Sequence, residues 1–262
     1  MVKKTKVKSR VKTNKKKIFL TCLAVIFVVA AVLTALFSSR SGSSDLIKLN
    51  KNVAYGIDVS YHNGKIDWKK VKGEVDFAFI RVGYRGYDDG MVHLDSKAKD
   101  NLKNANKNDL PIGVYFYSQA INDSEAEEEA DFLLEKIKGY DISLPVVIDF
   151  EYPYSNGKQV GRLSNANLTR KEKTSLINAF CQKVENAGYT PCVYASSYIY
   201  RSHINVNKLD KDIMIWVADY NEKVRYGGEY DFWQFSEKGK CNGVSSKYVD
   251  TNYWYIKNEN NN

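Results

Sequence analysis

The chain has 262 residues, enough for one large domain or two small ones, with an ordinary 44% apolar and 27% charged composition. Its formal charge of +8 invites a nucleic-acid partner, but nine basic residues and no acid fall within residues 1–17. Removing those nine from the 39 leaves 30 basic against 31 acidic residues, so the remainder is near neutral and no nucleic acid is expected.

In chain order, the basic tail 1–17 is followed by Ile18 to Phe37, an apolar run without a charge. It is long enough to cross a bilayer as a helix, and the adjacent lysines orient it with the tail in the cytoplasm. A cleaved signal peptide, with a secreted product, is the rival reading. Its apolar region would be about 7–15 residues long, and Leu36-Phe37-Ser38-Ser39 makes a poor cleavage site. Residues 38–52 are small and polar, a linker. A folded domain is expected over 53–257 and a frayed tail over 258–262.

Within the domain, eight short runs rich in β-branched or aromatic residues read as strands: 55–60, 77–83, 112–118, 146–151, 192–196, 214–219, 232–235 and 248–252. Helices are expected over 95–108, over 123–138 with Asp123 or Ser124 as N-cap, and over 169–186. In the last of these, Thr169 stands three residues before Glu172, the capping-box spacing, and Gly188 lies near the end. Such alternation argues for an α/β fold with a parallel sheet. Eight strands suggest an irregular (β/α) barrel of TIM-like type, helix-poor at its C-terminal end. An open doubly wound sheet would show a Gly-rich phosphate loop after the first strand, where this chain has Asp58-Val-Ser-Tyr-His62.

Barrel sites lie at the C-terminal strand ends, and acids stand there. Asp58 ends the first strand, Asp149 and Glu151 end the fourth, and Asp250 lies in the eighth. Each interrupts a run that should be buried, where an unpaired carboxylate is costly. Asp149 and Glu151 share one face of a strand, with Cα atoms about 6.6 Å apart. Two acids that close raise one another's pKa, so one keeps its proton near neutral pH. Glycosidic cleavage needs such a pair: an acid for the leaving oxygen and a carboxylate for the opposite side. The bland alternative is a helix cap or a salt bridge to Arg81 or Arg85. Tyr115, Tyr117, Trp216, Tyr220 and Trp233 are candidates to stack on sugar rings, with Gln234 and Arg81 as polar contacts. His62, before the turn Asn63-Gly64, reads as a loop residue near the site without a base role. Outside the apolar run lie Cys181, Cys192 and Cys241. One disulfide plus a free thiol fits an oxidising compartment, with the pair unassigned. No Cys/His metal spacing occurs.

At these residues the sequence resembles glycoside hydrolase family 25, the Chalaropsis-type lysozymes. The match begins at Tyr55-Gly-Ile-Asp-Val-Ser60 and Ile66-Asp-Trp68, and includes Phe79-Ile-Arg81, Leu110-Pro-Ile-Gly-Val-Tyr115 and Asp149-Phe-Glu151. It continues through Gly188-Tyr-x-Pro-x-Val-Tyr194, Trp216-Val-Ala218, Trp233-Gln-Phe235 and Val249-Asp-Thr-Asn252. The resemblance implies a barrel of eight strands and five helices. It implies cleavage of the β-1,4 bond between N-acetylmuramic acid and N-acetylglucosamine in peptidoglycan, without metal or organic cofactor. It casts Glu151 as general acid, and Asp149 as the carboxylate assisting a substrate acetamido group or an oxocarbenium-like state. Asp58 and Asp250 become further acids of the groove. The family often has Gln where this chain has Asn63. The expected partners are peptidoglycan glycan strands, the membrane through the N-terminal helix and other cell-surface proteins, with the catalytic domain outside the cell. Two other readings stand beside this one. A chitinase of family 18 would carry acids at Leu144 and Val147, which this chain lacks. A non-catalytic wall-binding or scaffolding module would have no need to retain all four acids.

Overall fold

The computed structural model describes residues 52–257. The expected cytoplasmic tail, membrane span and nearly all of the linker lie outside the described residues, as does the tail 258–262. Among the described residues no helix is long and apolar enough to cross a membrane.

The strands are β1 Val53–Val59, β2 Phe77–Arg85, β3 Val92–Leu94, β4 Ile112–Ser118, β5 Val146–Phe150, β6 Tyr154–Ser155, β7 Lys158–Gln159, β8 Pro191–Ser196, β9 Met214–Ala218, β10 Phe232–Gly239 and β11 Val249–Tyr255. Eight of them close a barrel in the order β1-β2-β4-β5-β8-β9-β10-β11, because β1 pairs with both β2 and β11. β3 hangs from the end of β2 as a hairpin, and β6–β7 form a separate small hairpin. The helices are α1 Trp68–Val71, α2 Ala98–Lys107, α3 Asp123–Lys136, α4 Gly161–Asn165, α5 Arg170–Asn186 and α6 Ser197–Ser202.

The barrel is not wholly parallel. β11 runs antiparallel to both its neighbours, β10 and β1. Only residues 240–248 join β10 to β11, too few for the crossover that a parallel pair needs. Local signals otherwise set the helix ends. Thr169 and Glu172 form the expected capping box at the start of α5. The N-cap of α3 is Asn122, whose side chain accepts from the Glu125 amide, rather than Asp123 or Ser124. α2 begins at Ala98, later than expected, because Asp95 forms a turn instead: its Oδ1 accepts from the Lys97 amide and its carbonyl from the Ala98 amide.

Two apolar layers result. One lies between the barrel and its helices and includes Ile57, Ile80, Phe116, Ile148, Phe180 and Val193. The other fills the barrel with Phe77, Phe79, Tyr194, Trp216, Phe232 and Trp254. Phe79 stacks on Trp216 with ring centroids 4.4 Å apart. That stack needs Gly113, the residue paired with Phe79 on β4. A Cβ there would lie 2.3 Å from the Phe79 ring and 2.7 Å from the Pro145 carbonyl oxygen. Gly113→Ala is therefore expected to destabilise the domain by about 1–3 kcal/mol through overpacking, visible as a lowered thermal midpoint. Cys181, Cys192 and Cys241 are buried free thiols, so no disulfide joins them.

Candidate active site

The parallel strands all deliver their C-terminal ends to one mouth of the barrel. Since β11 runs the other way, its early residue Asp250 arrives at that same mouth, directly opposite Asp58 of β1 in the ladder. A cleft of about 770 Å³ opens there, and Asp58, Asp149, Glu151 and Asp250 all line it. The four acids, spread over 193 positions of sequence from 58 to 250, thus meet in one space.

Asp58 is the most constrained of them. One of its oxygens accepts from the Gln234 and Asn252 side-chain amides, each at 2.9 Å. Trp216 Nε1 holds Asn252 at 2.9 Å. The Tyr194 and Tyr220 hydroxyls donate to Gln234 Oε1 at 2.8 and 2.7 Å. These donors fix the two amides so that both point their N–H groups at Asp58. Burial raises the Asp58 pKa, and the hydrogen bonds from Asn252, Gln234 and Asp250 pull it back. Burial and then the Asp58 charge push Asp250 up to about 8.

Asp149, at the end of β5, is buried, and its Oδ1 has no hydrogen-bond partner. Burial pushes its pKa well up, and repulsion from Glu151 and Asp58 adds to this. Glu151 stands just past the strand and is half-buried. Burial and the Asp58 charge raise it to about 7, against the opposing pull of Arg81. Among the ion pairs of the described residues, none involves these four carboxyls. Burial, together with mutual repulsion at Asp149, Glu151 and Asp250, thus holds all four carboxyl pKa values above the ordinary carboxylate range.

The two arginines that could have neutralised the pair are committed elsewhere. Arg81 lines the cleft, but its Nε bonds Asp95 at 2.9 Å, and its guanidinium lies 4.9 Å from the Tyr61 ring and 5.4 Å from the Tyr84 ring. Arg85 bonds Glu128 and Glu129, both at 2.7 Å. The salt-bridge alternative for Asp149 and Glu151 is not what the geometry shows.

The remaining candidates divide. Tyr115, Tyr117, Trp216 and Gln234 line the cleft, with Tyr117 paired to Asp149 across the β4–β5 ladder. Tyr115 and Trp216 are mostly buried and form its floor. Tyr220 sits half-exposed at the rim and reaches the site through Gln234. Trp233 does not line the cleft. It faces outward beside Phe235 and Tyr253, and its Nε1 donates to the Asp219 carbonyl at 2.7 Å. His62 lines the cleft, with its pKa lowered by burial and Arg81, so it is neutral at pH 7. Asn63, at the cleft edge, ties its own turn to the β10–β11 loop: its Oδ1 accepts from the Ser60 amide and its Nδ2 donates to the Ser246 hydroxyl. Sequence reasoning did not single out Asn252, Tyr194, Asp95, Tyr61 or Tyr84. For Asn252 a signal existed, since it shares the Asp250 face of β11 at a two-residue interval.

A barrel mouth with two adjacent carboxyls that no ion pair among the described residues engages holds the groups that acid–base hydrolysis of a glycosidic bond requires. Residues 57–244 match the family described as Glycosyl hydrolases family 25, and the chain belongs to that family. It is similar to the autolytic lysozyme of Clostridium acetobutylicum, 28% identical over 191 residues, covering 72% of this chain and 52% of that protein. Among solved structures it resembles the modular autolysin LytC of Streptococcus pneumoniae in complex with a synthetic peptidoglycan ligand. The identity is 28% and the TM-score 0.66, over 79% of this chain and 48% of that one. A family 25 glycosyl hydrolase of Bacillus anthracis aligns at 25% identity and TM-score 0.64, over 82% of this chain and 94% of that one. The chain spans about half the length of the Clostridium lysozyme and of LytC.

Proposed function

We propose that this protein is a muramidase that cleaves the β-1,4 bond between N-acetylmuramic acid and N-acetylglucosamine in peptidoglycan. The observation that carries the reading is the Asp149–Glu151 pair, held at the barrel mouth without an ion-pair partner among the described residues. Glu151, the more accessible of the two, protonates the leaving glycosidic oxygen. Asp149 works from deeper in the cleft. Its Oδ1 lacks a partner, and so does Arg81 Nη2. An acetamido group brings both a donor and an acceptor, and its N–H would satisfy Asp149. That bond favours ionised Asp149 and leaves the pair's proton on Glu151 as substrate enters. Asp58, fixed by its two amides, and Asp250 complete a negative wall that favours positive charge developing at the anomeric carbon.

The basic tail and the apolar run of residues 18–37 support the further reading that the barrel works outside the cell on a single-pass membrane anchor. Other cell-surface proteins would then be near neighbours.

The test is incubation of the purified protein with peptidoglycan, followed by mass analysis of released muropeptides. Products ending in reducing N-acetylmuramic acid are expected. No release where a control lysozyme clears the same wall, or release ending in reducing N-acetylglucosamine, would sink the assignment.

A further inference from the structure

Behind the cleft lies a buried polar network of Glu129, Gln119, Arg162, Glu125 and Arg85, of which only the Arg85 side chain also lines the cleft. Glu129 of α3 is fully buried. Its carboxylate accepts from Arg85 Nε at 2.7 Å and from the Gln119 backbone amide at 3.4 Å. Gln119, also fully buried, follows β4 directly. Its Nε2 donates to the Glu151 carbonyl oxygen at 3.0 Å and to the Ser118 carbonyl at 2.9 Å. Its own carbonyl accepts from Arg162 Nη1 at 2.9 Å. Arg162 in turn grips Glu125 with two bonds of 2.6 and 2.8 Å, and its backbone amide donates to the Tyr87 carbonyl. Arg85 Nη1 donates to the Gly90 carbonyl at 2.8 Å.

The residue at the functional end of this network is Glu151. It lies past the last residue of β5, so the ladder that fixes Asp149 opposite Tyr117 does not hold it. The only hydrogen bond that fixes its backbone from outside the strand, among those of the described residues, is the one from Gln119. A side chain released there can tilt by an ångström without unfolding anything. We propose that Gln119, locked by the buried Glu129–Arg85 pair and by Arg162, is a positioning residue that aims the Glu151 carboxyl into the cleft. The same pair anchors the β2–β3 turn, so the turn that walls one end of the cleft and the acid of the other wall share one brace. The proposal rests on Glu151 acting as the acid.

Two variants carry the test, Gln119→Met, which keeps the volume, and Gln119→Asn, which keeps the amide but is too short to reach. Misplacement of a reacting group by about 1 Å can cost about 100-fold in rate. Each folded variant is therefore expected to lose at least about tenfold in kcat on peptidoglycan fragments, with KM within about twofold. The alkaline limb of the kcat–pH profile should move as well, since a re-aimed carboxyl sits at a new distance from Asp58 and Arg81. A loss of general stability alone would move neither kcat of the folded fraction nor that limb. A folded variant with wild-type kcat and an unmoved limb overturns the proposal. Glu151→Gln is measured in parallel: if it stays fully active, the acid assignment fails and the positioning role goes with it. If it is inactive while the Gln119 variants are normal, only the positioning role is lost.

Discussion

Glu151→Gln is expected to lower peptidoglycan hydrolysis by about 10²–10⁴-fold, the usual worth of a positioned general acid. The amide has nearly the same shape but cannot release a proton to the leaving oxygen. The variant should stay folded, and its stability should respond to pH in a defined direction. Glu151 in the folded state is raised to about 7. A raised carboxyl favours folding while it is protonated, and that advantage is lost as pH climbs from the ordinary carboxylate range through about 7. Glutamine never ionises and suffers no such loss. The variant should therefore match wild type near pH 4 and melt higher than wild type at pH 8, by up to about 3 kcal/mol at about 1.4 kcal/mol per pKa unit. The wild-type rate should fall over the same window, as pH rises through about 7 and the acid loses its proton. Differential scanning fluorimetry and turbidity assays across pH 4–9 read both effects. Hydrolysis within tenfold of wild type would remove Glu151 from the acid role.

The largest stability effect is expected at a residue that touches no substrate. Asp95 is almost fully buried, and its Oδ2 holds Arg81 Nε at 2.9 Å and the Tyr61 amide at 3.0 Å, while its Oδ1 takes the Lys97 amide at 2.8 Å. Asp95→Ala strands a buried guanidinium, which costs about 3–5 kcal/mol. For a domain of this size that lowers the thermal midpoint by about 10 °C. Removing both charges, as Arg81→Leu with Asp95→Leu, should cost less than Asp95→Ala alone, since no buried charge is left without a partner. In Asp95→Ala the freed Arg81 can also turn toward the carboxyl cluster with which it lines the cleft. It already draws the Asp149 and Glu151 pKa values down from across the cleft, so the alkaline limb of activity should shift to lower pH. A double variant less stable than the single one would refute this account.

Much of this was legible because the informative residues break local patterns. An acid ending an apolar strand has no place in a core, so Asp58, Asp149 and Glu151 announce themselves. The parallel strands were readable from their apolar runs and the helices between them. What one strand's sequence carries poorly is parity. Trp233 and Gln234 were both candidates for the cleft, but neighbours on a strand face opposite ways. Phe232 and Gln234 are buried toward the barrel interior, which turns Trp233 outward. Long-range pairing carried still less. Nothing near Arg81 in sequence says that it will pair with Asp95 of the next loop rather than with Asp149, nor that Gln119 will reach the carbonyl of Glu151. Those choices are made by the barrel closing, which sets residues of distant strands side by side. The antiparallel β11 was missed for a related reason: strand direction is encoded in the length of the connection, not in the strand.

That last strand has a mechanical consequence. The described chain enters at Val53, at the base of β1, while Asp58 at the other end of the same strand faces the cleft. β1 is laddered on both sides, to β11 from Val53 to Asp58 and to β2 from Gly56 to Val59. A pull between a polymer gripped in the cleft and the chain ahead of Val53 runs along this strand. It loads both ladders in shear, so that many hydrogen bonds must yield together, whereas a strand peeled from an open edge gives way one bond at a time. Closing the barrel on β1 with an antiparallel partner thus has the described chain enter the barrel on a strand with no free edge, suited to holding its shape under tension.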